Sequence, residues 1–205
     1  MRANAAALAA RATLGCDSVR VTEPTPDYRP EEAGTVDHAL CLLGFTAIPL
    51  RRTATTGHHL VEAKLNGRDA LFIIDTGANV SVVEDDHAAA FGLRGGTPGG
   101  AVLVGGAGGA RQVRIQSLSL AGVPVRQQRI VVANLGQLAG ALEPLAGGAV
   151  HGLLGQDVLN EHRAVIDMSR PLLYLIEQDR DPAPVPAERC RGAPEEPKAN
   201  WSGNS

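Results

Sequence analysis

Asp75 stands directly after the apolar run Ala70-Leu71-Phe72-Ile73-Ile74 and directly before Thr76-Gly77-Ala78. A carboxylate at the end of a buried strand must find hydrogen-bond donors or take up a proton. Thr76 supplies a hydroxyl, and Gly77 a backbone free to turn sharply and aim N–H groups at the carboxylate. The bland reading of the same three residues is an Asx cap at a strand-to-turn junction. Rival carboxylates have ordinary contexts: Asp157 follows Gly155-Gln156 and reads as a helix N-cap, and Asp167 precedes a turn. His58, His59, His87, His151 and His162 offer no i, i+4 pair with a flanking Glu, so no metal site is expected. His58 and His59 read as solvent-facing residues at the start of a strand. There is no G-x-S-x-G, and the run Gly105-Gly106-Ala107-Gly108-Gly109 lacks the Lys and the following helix of a phosphate loop. No cofactor is implied.

The elements that would carry Asp75 are short and extended. His59–Leu65 reads as a strand leading into Asn66-Gly67, the strongest short hairpin signal because a type I′ turn needs two residues tolerant of positive φ. The unbroken run 70–74 is then a strand covered on both faces. Val80–Val83 resumes the β pattern, and Glu84 opens a short helix closed by Gly92. A hairpin with a glycine-rich tip is expected from Ala101–Val104 through Gly105–Gly109 to Gln112–Gln116, with Val113, Ile115, Leu118 and Leu120 pointing inward. A further turn falls at Ala121-Gly122. Val150–Gly155 reads as a strand, 156–162 as a short helix, and 164–176 as a closing hairpin around Arg170-Pro171. Many short strands at close spacing predict an all-β fold, a small closed or partly open β-barrel with short helices.

Composition agrees. The 205 residues carry 24 Gly and 13 Pro and only three Phe, two Tyr and one Trp, so the core is aliphatic and turns are frequent. A net charge of −3 excludes the basic face of a nucleic-acid binder. No apolar run reaches the roughly 18 residues of a membrane-spanning helix. Residues 1–43 and 178–205 are polar or Pro-bearing and are expected to be a poorly ordered extension and a disordered tail, leaving one domain over 44–177. The apolar stretch after Arg2 is too short for a good signal peptide, which favours a cytoplasmic location over export. Cys16, Cys41 and Cys190 are odd in number and far apart, and are expected to be free thiols.

Phe72-Ile73-Ile74-Asp75-Thr76-Gly77-Ala78, the pair of apolar residues and glycine Leu153-Leu154-Gly155 that opens a helix 80 residues after Asp75, and the glycine-rich hairpin between them together resemble the retropepsin-like aspartic proteases. The chain looks closest to the bacterial single-lobed members. The retroviral pattern has an acid where Asn79 stands and an arginine where Gln156 stands; losing both charges together strands neither. The resemblance implies a barrel of the retropepsin type and an aspartic endopeptidase in which two carboxylates share a proton and activate water. Asp75 would be catalytic, Thr76, Gly77, Ala78 and Gly155 would brace it, and Val104, Gly105, Gly106, Ala107, Gly108 and Gly109 would form a flap over a peptide or protein substrate. Because the motif occurs once, the second carboxylate must come from a second copy, making a homodimer. The alternative is a dimeric peptide-binding module of the same fold that does not turn over.

Overall fold

The computed structural model describes residues 27–53, 56–98, 109–136, 143, 144, 146, 148–176 and 181–191. Among the described residues the helices α1 (Val36–Leu42), α2 (Asp85–Ala88) and α3 (Gln156–Glu161) are set among thirteen short strands. The strands are β1 (Thr46–Pro49), β2 (Arg51–Arg52), β3 (His59–Leu65), β4 (Arg68–Ile74), β5 (Val82–Glu84), β6 (Thr97–Pro98), β7 (Arg111–Arg114), β8 (Leu118–Leu120), β9 (Val123–Val125), β10 (Arg129–Ala133), β11 (Gly152–Leu154), β12 (Val165–Asp167) and β13 (Leu172–Leu175). Ten form one sheet in the order β6-β7-β10-β5-β11-β4-β3-β8-β9, with β2 on the edge of β3, and three form a second sheet, β1-β13-β12. The larger sheet does not join end to end, so the all-β architecture is a partly open barrel.

Local chemistry explains the hairpins. Asn66 and Gly67 take φ of 50° and 79° and reverse β3 into β4. Asn66 is chosen for more than its φ: its Oδ1 accepts from Gln116 N–H at 2.7 Å and its Nδ2 donates to Phe91 O at 2.9 Å, tying three loops together. Ala121 and Gly122 do the same between β8 and β9, with φ of 44° and 87°. Strand β3 alternates, with Val61, Ala63 and Leu65 buried and Glu62 and Lys64 exposed. Strand β4 does not alternate, because it is covered twice. Ala70 and Phe72 enter the main core with Val61, Leu120, Val132 and Leu154, whereas Leu71 and Ile73 pack with Leu60, Val150 and Leu153 on the other side. Val113, Ile115, Leu118 and Leu120 all lie in the main core.

The connection that shapes the molecule is long-range. β11 runs parallel to β4, with Leu153 opposite Ile73, and antiparallel to β5, with Gly152 opposite Val83. It is threaded between two strands that are neighbours in sequence. A Cβ on Gly152 would sit 2.0 Å from Val82 O and 3.0 Å from Phe72 Cε1, so a glycine is required there.

Three expectations need correction. Cys41 and Cys190 are not free thiols; they form a disulfide across a sequence separation of 149, a loop closure that stabilises by about 5 kcal/mol in chain-entropy terms. Nor is the domain edge at 43, or the whole tail from 178, without structure. Thr35 caps α1 by accepting from His38 N–H at 3.1 Å, and residues 187–190 form a 3-10 turn. These flanks dock through a few specific contacts that composition does not register. Finally, His59 is 5% exposed; it alternates in phase with the buried Val61, Ala63 and Leu65 of β3, and β2 flanks it at Arg52.

Gly152→Ala is expected to lower stability by about 3 kcal/mol or more, since a backbone carbonyl rather than a flexible side chain blocks the methyl. Gly148→Ala, where nothing lies within 4 Å of the added Cβ, should stay within about 0.5 kcal/mol. Urea midpoints of the two variants check both values.

Candidate active site

Asp75 extends the β4–β11 ladder by one step, its N–H donating to Leu154 O at 3.0 Å. The chain then turns: Ala78 N–H donates to Asp75 O at 3.2 Å, and Gly77 N–H donates to the carboxylate Oδ1 at 2.9 Å. A Cβ on Gly77 would lie 3.2 Å from that same oxygen, so glycine keeps the carboxylate uncrowded. Asp75 is half-buried, Thr76, Gly77 and Asn79 are exposed, and Ala78 is half-buried.

The turn is fastened to the start of α3. Gln156 N–H donates to Ala78 O at 2.8 Å, and the Gln156 side-chain amide donates to Thr76 O at 2.6 Å. A Cβ on Gly155 would lie 2.6 Å from Val80 O and 2.8 Å from Ala78 O. Gly155 therefore lets two backbones touch where a side chain would part them. Asn79 and Gln156 do not brace the loop as a pair; Gln156 braces it through the Thr76 carbonyl.

A second layer, which sequence reasoning missed, lies beneath. Ser81 is fully buried; its Oγ donates to Asp157 Oδ1 at 2.7 Å and accepts from Gly155 N–H at 3.0 Å. Asp157 Oδ1 also accepts from Ser81 N–H and Val158 N–H, each at 2.9 Å, and its Oδ2 accepts from Gln127 Nε2 at 2.6 Å. Asp157 is the second residue of α3 and Gly155 holds the N-cap position, so Asp157 is a cross-brace rather than the expected N-cap. The only sequence signal was its type, since Ser81 and Asp157 lie 76 residues apart. Beside them opens a cleft of about 440 Å³ lined by Val80, Ser81, Gln127, Arg129, Asp157 and Glu161 among others, and Asp75 is not part of its wall.

Of Asp75, Asp157 and Asp167, Asp75 accepts the fewest hydrogen bonds. Asp167 accepts from Ser169 N–H and Oγ and from Arg170 N–H and Nε. Burial pushes its pKa up, yet the hydrogen bonds from Ser169 and Arg170 outweigh burial and hold it well below the usual carboxylate range. Asp157 is equally saturated. Among the described residues Asp75 receives one donor, the N–H of Gly77, which leaves lone pairs for a water or a second carboxyl. The tip of the glycine-rich hairpin, with Val104, Gly105, Gly106, Ala107 and Gly108, lies outside the described residues. Its base is described: β6 pairs with β7, Gly109 has φ of 107°, and Arg111 donates to Gly95 O at 3.0 Å and Asp85 Oδ1 at 2.9 Å. Among the described residues no group of three or more potential ligands could hold a metal ion.

At the far end of β11, His151 joins both neighbours. Its N–H donates to Leu71 O at 2.8 Å, its carbonyl accepts from Glu84 N–H at 2.9 Å, and its ring Nδ1 accepts from Leu71 N–H at 3.0 Å. The ring packs on His87 and Phe91 at centroid distances of 4.8 and 5.3 Å. Burial first, and the charge of His87 second, lower the His151 pKa below its ordinary 6.5. Glu143, 3.6 Å from His87, opposes this.

Residues 61–158 match the family model described as aspartyl protease. No curated protein matches the chain. Among solved structures the chain is similar to a retropepsin-like aspartic protease from Rickettsia conorii, at 23% identity over 64% of this chain and 90% of that one, with a TM-score of 0.46. It is similar to the retroviral protease-like domain of Ddi1 from Leishmania major, at 20% identity over 62% and 94%, TM-score 0.41. A third is EIAV protease complexed with an inhibitor, at 20% identity over 52% and 89%, TM-score 0.39.

Two outcomes are expected. Asp157→Ala strips four donors of their acceptor, two of them on Ser81, and should cost about 3 kcal/mol of stability by denaturant titration. For His151, the neutral ring is the form that accepts from Leu71, so its contribution is present above pH 6.5 and is lost as pH falls below that value. Wild-type urea midpoints should drop more between pH 7.5 and 5 than those of His151→Gln, whose amide oxygen accepts without titrating.

Proposed function

We propose that the chain, whose residues 61–158 match the family model described as aspartyl protease, is one half of an aspartic endopeptidase whose working unit is a homodimer. The observation that carries this reading is the Asp75 turn. A carboxylate with lone pairs to spare ends a doubly buried strand, and the backbone around it is pinned from α3.

Asp75 and the partner's Asp75 would share one proton, because two carboxylates about 3 Å apart cannot both ionise cheaply. The ionised member takes a proton from water as the water attacks the scissile carbonyl. The protonated member donates to the developing oxyanion, and the proton then passes to the leaving amine. Gly77 N–H keeps one carboxylate oxygen oriented through the cycle. Thr76, Ala78 and Gly155 hold the turn, and Val104 to Gly109 cover an extended peptide substrate. Fixing the carboxyl by a backbone donor, with no long charged side chain involved, preserves the geometry when its charge changes.

Asp75→Asn in the full chain is expected to lower peptide hydrolysis by on the order of 10³-fold or more, with the fold unchanged by circular dichroism. Full cleavage by the pure variant overturns the assignment. Wild-type rate per chain should rise with protein concentration through the dimerisation range, and its pH profile should be bell-shaped on the acid side. Tight peptide binding with no product at any pH and concentration selects the non-catalytic module instead.

A further inference from the structure

The flanks of the barrel make no contribution to the Asp75 turn, yet they are built onto the protein with care. The sheet β1-β13-β12 has two faces. Ile48, Leu173 and Leu175 point into the main core, whereas Phe45, Leu172, Tyr174 and Ile176 point outward and are covered by Tyr28 and Leu40 from the N-terminal flank. The C-terminal flank then runs along the N-terminal one, Val185 N–H donating to Leu42 O at 2.8 Å and Ala183 N–H to Leu43 O at 3.3 Å.

Two locks of different chemistry close this arrangement. One is ionic. Asp37 in α1 is 1% exposed, and its carboxylate accepts from both terminal nitrogens of Arg170, each at 2.9 Å, from Arg29 N–H at 2.9 Å and from the Tyr174 hydroxyl. Arg170 in turn donates to Asp167 at 2.9 Å. A carboxylate is this deeply buried only where it is paired and hydrogen-bonded, and removing it would take the carboxylate partner from both terminal nitrogens of Arg170 and the acceptor from the Tyr174 hydroxyl. The other lock is covalent, the bond between Cys41 of α1 and Cys190 of the 3-10 turn, whose residues are 4% and 1% exposed.

We propose that residues 27–43 and 181–191 form a permanent strap of the mature protein, closed by oxidation of Cys41 and Cys190, and not a segment shed from the barrel. Closure is a thiol–disulfide exchange. Two cysteine thiols lose two protons and two electrons to a disulfide donor of the glutathione class, which leaves as two thiols. Such a bond persists in an oxidising compartment and not in a reducing cytosol. Burial of both sulfurs denies a reductant its line of attack while the strap is shut, so the bond is a staple and not a switch. The strap stands whether or not Asp75 cuts peptides.

The test uses the full chain, folded reduced and then exposed to oxidised glutathione, with thiols alkylated under denaturing conditions and peptides mapped by mass. The expected product is a single Cys41–Cys190 linked peptide with Cys16 alkylated. Three alkylated thiols, or a bond that includes Cys16, overturn the proposal. Hydrogen exchange tests the strap itself. In oxidised wild type, and in oxidised Asp37→Asn, the amides of 39–43 should stay protected. In reduced Asp37→Asn they should exchange at least about 10-fold faster while β3 and β4 keep their protection. Unprotected amides in oxidised wild type, equal protection in the reduced variant, or loss of β3 and β4 along with 39–43 each overturn a strap that is separately locked.

Discussion

The insertion of β11 between β4 and β5 is the constraint on which the rest of the structure rests. A parallel strand in that position must be narrow where it passes Val82 and where it leaves past Val80, and Gly152 and Gly155 supply both passages. Once it is in place, Leu154 O fixes the Asp75 amide, α3 begins directly beneath the Asp75 turn, and Gln156 and Asp157 reach back to Thr76 and Ser81. The carboxylate at the site is thus placed by a strand end and by one backbone donor, the Gly77 N–H. Its precision comes from sheet register, which is a stiffer reference than a side-chain contact.

Charge is distributed to match. Asp37, Asp157 and Asp167 each accept several hydrogen bonds and serve as joints, fixing α1, the β5 entry and the β12–β13 turn. Asp75 alone of these four is left underbonded. Donors that saturate a carboxylate, as those on Asp167 do, raise the cost of protonating it. The neutral bracing of the turn by Gln156 follows the same logic, since an amide on a carbonyl is indifferent to pH.

Much of this is legible in the sequence where the cause is local. Asn66-Gly67 and Ala121-Gly122 specify their turns through positive φ, the unbroken run 70–74 announces a strand covered twice, and an Asp followed by Thr-Gly marks the turn. What is not legible is pairing across the chain. Nothing in the types of Ser81 and Asp157, 76 residues apart, says that they meet, and Asp157 has the local look of a cap. His59 sits in a pattern that reads as a strand start, but it is in phase with the buried side of β3. Cys190 lies in a Pro-rich tail whose composition suggests no core, and Cys41, in the apolar run Ala39-Leu40-Cys41-Leu42-Leu43, lies 149 positions from it, so nothing local announces the bond. There, one buried ion pair and one covalent bond join the apolar packing of Tyr28 and Leu40 in docking the flanks.

The parallel pairing of β4 with β11 also sets an order in time. Ile73 and Leu153 are separated by 80 positions, so the strand that carries Asp75 must wait for a distant partner, and contacts of that span form late because the intervening loop has to be closed first. A chain still emerging from synthesis, made only as far as the glycine-rich hairpin, holds the aspartyl motif but has no Leu154 carbonyl to fix its amide and no α3 to fasten its turn. The stretch that fixes the Asp75 turn, Gly152 to Glu161, is therefore made only after β3 to β10, and the turn is fastened only once that stretch has been made.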